Sequence, residues 1–263
     1  MIQKYVDTPA GQLHYVAEGN GNPLLLIHQT SLSCEEYSEV MPILGKRYGV
    51  LALDLPGHGN SYMPPVGFRI EDHAKAVAAF LDALGIRKSS IVGHHVGARI
   101  AVEFAAAWPE RVDKLVLSGC PWYSKEELRA LPHHPLYQGI EVTEDGSFVP
   151  HLWQSYRARW KAAPKPLVLC RLVATHLSTL ARSMDIHEAA LRHDIDPRLR
   201  LVKSPALLVA ASGDVFVSKL ETVSRMIPGS HAVVIEGAGF FVALEKPREF
   251  AETILDFLEK DRP

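Results

Sequence analysis

The sequence predicts an α/β fold in which a mostly parallel central sheet has helices on both faces and carries a helical cap. Three observations lead to this prediction: short unalternating apolar runs, helical segments between them, and a long strand-poor stretch late in the chain. Unalternating apolar runs are typical of strands buried on both faces, and such strands with intervening helices form parallel sheets. We expect the core in residues 1–120 and 202–263, and the inserted helical cap in residues 121–201.

The first half of the chain is expected to begin with a hairpin and then to alternate strands with helices. Two mixed strands flank the turn Thr8–Gly11, where glycine supplies a positive φ. Apolar residues recur at helical spacing from Ile70 to Leu84, and Gly85 ends that pattern. Buried strands are predicted at Leu24–Ile27, Val50–Leu53, Ser90–Val92 and Leu115–Leu117.

The strand–helix alternation stops between Pro121 and Leu201. This stretch is rich in Pro, His, Arg and Trp and predicts two or three irregular helices. Strands are expected again at Ala206–Ala211 and Ala232–Ile235, before a final helix at Pro247–Glu259. An insertion of this size most simply covers the carboxyl ends of the strands.

Composition excludes several classes of protein. With 263 residues the chain fits one domain with an insertion. Lys plus Arg is 28 against 30 for Asp plus Glu, a net charge of −2 that does not fit a nucleic-acid binder. Three cysteines without metal-ligand spacing favour a reducing compartment. No apolar run approaches the roughly 20 residues of a membrane helix. We predict a cytoplasmic protein without nucleic-acid or membrane partners.

One strand–turn–helix segment resembles the nucleophile elbow of the α/β-hydrolases. Strand Ile91–Val92 runs into Gly93-His94-His95-Val96-Gly97 and then into a helix from Ala98 to Trp108. In this frame the glycines permit a strained turn that lifts the central residue to the top of the sheet. Further landmarks of the family follow in the right order: Leu26–His28 before the oxyanion loop, Asp54–Ser61, Pro205–Asp214 and Gly237–Gly239.

The resemblance implies a catalytic triad in the order nucleophile, acid, histidine, and two of its members are replaced here. His95, Asp214 and Phe240 occupy those positions. The usual glycine of the oxyanion loop is Gln29. The ordinary serine-hydrolase mechanism is therefore not available at the usual place.

His95 is the candidate catalytic group, with Asp214 as its partner. An imidazole titrates near neutrality, and it can serve as base, acid or nucleophile. Because imidazole reaches further than a serine hydroxyl, Asp214 could orient His95 directly or through water. The alternative is a degenerate elbow in a protein that has lost catalysis.

The rest of the candidate site is taken from the same family geometry. The backbone amide of Val96 and the loop residues Gln29 and Thr30 are candidates for holding an oxyanion. A pocket is expected because ligands bind outside the carboxyl ends of strands. Its candidate residues are His28, Ser31, Trp122, Tyr123, Trp153 and Phe240.

The cap is basic, and the chain contains two pairs of adjacent histidines. Between His151 and Ser204 there are ten lysines and arginines against four acidic residues, which could attract a carboxylate-bearing or aromatic substrate. A solvated helix face is the alternative interpretation of these charges. The histidine pairs at 94–95 and 133–134 lack an accompanying motif such as H-E-x-x-H. We predict neither a metal ion nor an organic cofactor.

Together these features predict a cofactor-independent enzyme that hydrolyses a small ester, lactone or C–C-bonded carbonyl substrate through a His95–Asp214 dyad. Two alternatives stay open. One is a lyase or isomerase in which His95 moves protons, and the other is a noncatalytic ligand-binding protein that keeps the fold. The expected partner is a small-molecule substrate, and a homodimer is left open.

Overall fold

In the computed structural model, which describes residues 1–131, 140–179 and 183–260, the chain folds around a sheet of eight strands. The spatial order is β1-β2-β4-β3-β5-β6-β7-β8. The strands are β1 (Ile2–Thr8), β2 (Gly11–Glu18), β3 (Pro23–Ile27), β4 (Gly49–Leu53), β5 (Ser89–His94), β6 (Val112–Ser118), β7 (Ala206–Ala211) and β8 (His231–Ile235).

The direction of the strands confirms the predicted mostly parallel sheet. β1 and β2 form the expected hairpin, with Ile2 opposite Ala17 and Thr8 opposite Gly11. β2 is also antiparallel to β4, whereas the pairings from β4 through β3, β5, β6 and β7 to β8 are all parallel. The carboxyl ends of the parallel strands therefore share one edge, where the candidate site is expected.

Helices cover both faces of this sheet. The side chains of β3 show why: Leu25 and Ile27 pack into one hydrophobic cluster, and Leu24 and Leu26 pack into the other. A strand buried on both faces has no polar side to alternate with, which explains the unalternating apolar run. The helices are α1 (Met41–Leu44), α2 (Ile70–Ala83), α3 (Val96–Ala107), α4 (Lys125–Ala130), α5 (Phe148–Ala158), α6 (Pro166–Thr179), α7 (Ser183–Arg192), α8 (Asp196–Leu199), α9 (Leu220–Met226), α10 (Val242–Glu245) and α11 (Pro247–Glu259).

The segment between β6 and β7 is helical, as expected, but it contains more helices than predicted. Helices α4 to α8 lie there, and its described residues form no strand. Leu152 and Tyr156 of α5 and Leu169 of α6 pack with Phe241 of the core in one hydrophobic cluster. In α5 only Leu152 and Tyr156 are buried, so its apolar stripe is narrow and its periodicity is difficult to recognise in the sequence alone.

The elbow helix α3 lies unusually close to strand β3. A β-carbon added at Gly97 would overlap the carbonyl oxygens of Ile27 and His28. Only glycine permits this approach, which brings the start of α3 beside the oxyanion loop. Among the described helices, none is both long enough and apolar enough to cross a membrane.

Candidate active site

His95 occupies the turn between β5 and α3 in a strained backbone conformation. Its φ and ψ are 49° and −114°. Among the described residues other than glycine, only His95 and Ser31, with a φ of 63°, have a positive φ. Each such conformation costs on the order of 1–3 kcal/mol. Both residues line the same cavity, so the strain is concentrated at the candidate site.

Asp214 contacts His95 directly. Oδ2 of Asp214 lies 2.7 Å from Nε2 of His95, and Oδ1 accepts the backbone N–H of Phe216 at 2.7 Å. Burial raises the pKa of Asp214, but the interactions with His95 and the N–H of Phe216 outweigh burial and hold that pKa below its ordinary value. An ionised carboxylate only accepts hydrogen bonds, so Nε2 of neutral His95 carries the proton. The lone pair of His95 is therefore on Nδ1.

Gly119, directly after β6, makes room for this contact. A β-carbon at Gly119 would lie 2.5 Å from Cδ2 of His95, 2.6 Å from Nε2 and 2.8 Å from Oδ2 of Asp214. The φ of Gly119 is 52°, which also favours glycine. Gly119 is not among the site residues predicted from the sequence, although a glycine that ends a buried strand is a usable signal.

Aromatic rings enclose the imidazole of His95. The ring of Phe240 stands perpendicular to it at 4.2 Å between centroids, and Phe216 stands perpendicular at 5.2 Å. Burial lowers the pKa of His95, and this effect outweighs the opposing effect of Asp214. The imidazole is therefore held in its neutral, basic form near pH 7.

A second buried histidine–carboxylate pair lies beside the first. Nδ1 of His94 is 2.5 Å from Oε1 of Glu36, and the His94 ring is 4.3 Å from the His95 ring. Burial lowers the pKa of His94, but Glu36 outweighs burial and raises the pKa above its ordinary value. Two adjacent imidazoles thus have pKa values shifted in opposite directions, with His94 the more readily charged.

In the oxyanion loop, Gln29 is held by Glu36. The side-chain amide of Gln29 donates to Oε1 of Glu36 at 2.7 Å, and its backbone N–H donates to Oε2 at 2.9 Å. Glu36 thus holds the backbone N–H and one of the two amide N–H groups of Gln29, which lines the cavity. Two further candidates lie nearby. Val96 is the first residue of α3, whose amide has no intrahelical acceptor, and the buried hydroxyl of Thr30 has no partner among the described residues.

A cavity of about 360 Å³ is lined by these groups and by residues of α5, α6 and α7, and its volume suits a small molecule. Of the pocket candidates from the sequence, Ser31, Tyr123 and Phe240 line it. Tyr156, Arg159, His176, His187 and Phe216 also line it but were not among the sequence candidates. For the first four, the only sequence signal is the aromatic and basic character of residues 121–201, and Phe216 lies two residues after Asp214.

Three predicted pocket residues lie away from the cavity. His28 is fully buried, since Nδ1 donates to the carbonyl of Gln29 at 2.7 Å and Nε2 accepts the N–H of Leu55 at 3.0 Å. The indole N–H of Trp122 donates to Asp196 at 2.8 Å. Trp153 packs on the hydrophobic cluster of the cap. None of these three side chains belongs to the described cavity wall.

A group of potential metal ligands coincides with the two histidines of the elbow. Ligand-type atoms of His94, His95 and Asp214 lie within 4.8 Å of one another. A metal ion there would compete with the hydrogen bond between His95 and Asp214. The second histidine pair considered in the sequence, His133 and His134, lies outside the described residues.

The chain belongs to the alpha/beta hydrolase fold family, whose model matches residues 22–189. It is 28% identical to the 2-(acetamidomethylene)succinate hydrolase of Mesorhizobium japonicum over 98% of this chain and 95% of that protein. It is 27% identical to a 2-hydroxy-6-oxononadienedioate/2-hydroxy-6-oxononatrienedioate hydrolase of Dechloromonas aromatica, over 94% of this chain and 90% of that one.

Solved structures show the same fold. The enol-lactonase of Burkholderia xenovorans superposes with a TM-score of 0.83, covering 98% of this chain and 100% of that chain at 22% identity. A bacterial membrane phospholipase A superposes with a TM-score of 0.84 at 26% identity, covering 98% of this chain and 86% of that chain.

Proposed function

We propose that this protein hydrolyses a small ester, lactone or C–C-bonded carbonyl substrate, with His95 as general base and Asp214 as its positioning residue. The observation that carries the proposal is the 2.7 Å contact between Nε2 of His95 and Asp214. Because Nε2 carries the proton in this contact, Nδ1 of His95 keeps its lone pair, and His95 lines the cavity. A base that faces the cavity can activate water itself, so the reaction needs no serine and no second histidine.

The reaction follows from where the proton and the charge go. Nδ1 of His95 takes a proton from a water molecule, and the resulting hydroxide adds to the substrate carbonyl carbon. Asp214 stabilises the imidazolium, while the amide of Val96 and the hydroxyl of Thr30 donate to the oxyanion. When the tetrahedral intermediate collapses, the bond to the leaving group breaks and the imidazolium returns its proton to that group.

The relatives support the reaction class rather than the mechanism. Two relatives that align along nearly the whole chain are hydrolases, one of 2-(acetamidomethylene)succinate and the other of 2-hydroxy-6-oxononadienedioate and 2-hydroxy-6-oxononatrienedioate. The cavity volume of about 360 Å³ supports a small substrate.

Turnover by the His95→Ala and His95→Gln variants tests this proposal. We expect both variants to lose ~10²–10⁴-fold of kcat/KM on a panel of aryl esters, lactones and β-diketones, because general-base catalysis contributes about that factor. The exposed His231→Ala variant is the matched control and should retain full activity. His95→Gln retains a side-chain donor for Asp214, so we expect this variant to fold. Its loss of activity then reports the loss of the base.

Three further outcomes are decisive in the same experiment. Unchanged turnover in His95→Ala would refute the proposal. If the product gains no label in heavy-oxygen water, the reaction is proton transfer rather than hydrolysis. If the wild type turns over no substrate of the panel, the ligand-binding alternative is favoured. EDTA should leave the rate unchanged, because the proposed steps use no metal ion.

The pH dependence of turnover gives a separate prediction. Burial lowers the pKa of His95 below the ordinary value of an imidazole, and only the neutral imidazole is a base. We therefore expect kcat/KM to be constant above neutrality and to fall about tenfold per pH unit below that pKa. His176 and His187, whose pKa values burial lowers to about 4, should not contribute near neutrality. A rate that rises steadily with hydroxide concentration and shows no inflection would contradict this prediction.

A further inference from the structure

The cavity wall has an uneven charge. It contains Arg99, Arg159 and four histidines, and no aspartate or glutamate is among its described residues. Arg99 is already engaged, because its guanidinium donates to the carbonyl of Pro121 at 2.9 Å and to that of His193 at 2.5 Å. Arg159 is different: no hydrogen bond or ion pair of its guanidinium occurs within residues 1–131, 140–179 and 183–260. The cavity thus presents one arginine with unused donors.

Aromatic faces hold the guanidinium of Arg159 in place. Its Cζ lies 5.4 Å from the ring centroid of Phe240 and 5.6 Å from that of Tyr156. Cation–π contacts of this length position a guanidinium without using its N–H donors. The planar fork of donors therefore remains available to a carboxylate, which it can bind with two parallel hydrogen bonds.

The backbone fixes Arg159 against the loop that carries Phe240. The N–H of Phe240 donates to the carbonyl of Arg159 at 3.1 Å. A β-carbon at Gly239 would lie 2.6 Å from that carbonyl oxygen, so glycine is required for the approach. Glu245 secures the same junction, because it accepts the N–H groups of Lys161 at 2.8 Å and Gly239 at 3.0 Å.

Arg159 and His95 lie on neighbouring parts of one cavity. Phe240 contacts both, with its centroid 4.2 Å from the His95 ring and 5.4 Å from Cζ of Arg159. The guanidinium carbon is consequently within about 10 Å of the imidazole, so a small ligand can reach both groups. The remaining wall around Phe240 is largely apolar and aromatic, which leaves Arg159 to recognise the charged end of a ligand.

From these contacts we infer that Arg159 is a carboxylate-binding residue and that the substrate is a small carboxylic acid whose scissile carbonyl lies within a few bonds of the carboxylate. The second half of this inference rests on the proposed hydrolysis at His95. The first half requires only binding. The guanidinium of Arg159 is partly buried and has no acidic neighbour among the described residues, so a bound carboxylate would satisfy its donors. A neutral analogue would leave these donors without a charged partner, so acids are favoured over their neutral analogues.

A matched pair of substrates tests the specificity. A nitrophenyl hemisuccinate and nitrophenyl butyrate differ only in a carboxylate replaced by a methyl group. We expect the wild type to prefer the hemisuccinate by about tenfold or more in kcat/KM, and Arg159→Gln to lose most of that preference. Arg157→Gln is the control, since Arg157 is an exposed neighbour on the same helical segment that does not line the described cavity.

A binding measurement separates this inference from the proposed function. Calorimetry with glutarate and with its neutral diamide is performed on the wild type, Arg159→Gln, Arg157→Gln and His95→Ala. We expect glutarate to bind the wild type and Arg157→Gln alike, to keep most of its affinity in His95→Ala, and to bind Arg159→Gln about tenfold or more weakly. Equal glutarate affinity in the wild type and Arg159→Gln would overturn the inference. Arg159-dependent binding without any turnover would uphold it and would reject the hydrolase.

Discussion

The Asp214→Asn variant is expected to fold and to lose ~10²–10⁴-fold of turnover, because it places the proton of His95 on the wrong nitrogen. Oδ1 of Asp214 accepts the N–H of Phe216 at 2.7 Å, so the carbonyl oxygen of the new asparagine takes that position. The amide nitrogen then faces Nε2 of His95, 2.7 Å away in the native contact. Because an amide nitrogen only donates, Nε2 must accept and the proton moves to Nδ1.

Two measurements check this prediction. The first is kcat/KM, with Asp196→Asn as a control carboxylate that bonds Trp122 rather than His95. The second is nitrogen NMR of labelled histidine, which shows the protonated ring nitrogen and needs no substrate. Full activity in Asp214→Asn, or an unchanged tautomer of His95, would show that Asp214 does not set the state of the imidazole.

The Glu36→Ala variant is expected to lose about 3–5 kcal/mol of unfolding free energy. Glu36 is fully buried and accepts three donors: the backbone and side-chain N–H groups of Gln29 and Nδ1 of His94. Removing the carboxylate leaves these donors unpaired. It also removes the group that raises the pKa of His94, so that a buried imidazole loses its stabilising charge partner.

Urea unfolding measures this loss, with the neighbouring Glu35→Ala variant as the control. Glu35 is more exposed and lies 3.6 Å from the exposed Arg171, a surface ion pair that contributes ~0–1 kcal/mol. The loss of unfolding free energy should be large in Glu36→Ala and small in Glu35→Ala. Similar unfolding free energies for the two variants would mean that the Glu36–His94 pair does not support the elbow.

The sequence by itself determined the architecture of this protein and the presence of His95 and Phe240 where the family has its nucleophile and catalytic histidine. The unalternating run Leu24–Ile27 indicated a strand buried on both faces, and its side chains do divide between two hydrophobic clusters. The spacing of Gly93 and Gly97 around His95 indicated a strained turn, and His95 has a φ of 49°. These features are local, because periodicity and turn geometry depend on residues near one another in the chain.

Only the tertiary structure decided which groups face the cavity. Glu36 binds the side-chain amide of Gln29, and His28 is fixed by backbone groups away from the cavity. Arg159 became a candidate only when the cap placed it against Phe240, 81 residues further along the chain. Hydrogen bonds and close packing between distant segments set these positions. Since no local pattern encodes such contacts, composition could indicate a basic cap but not which arginine keeps its donors free.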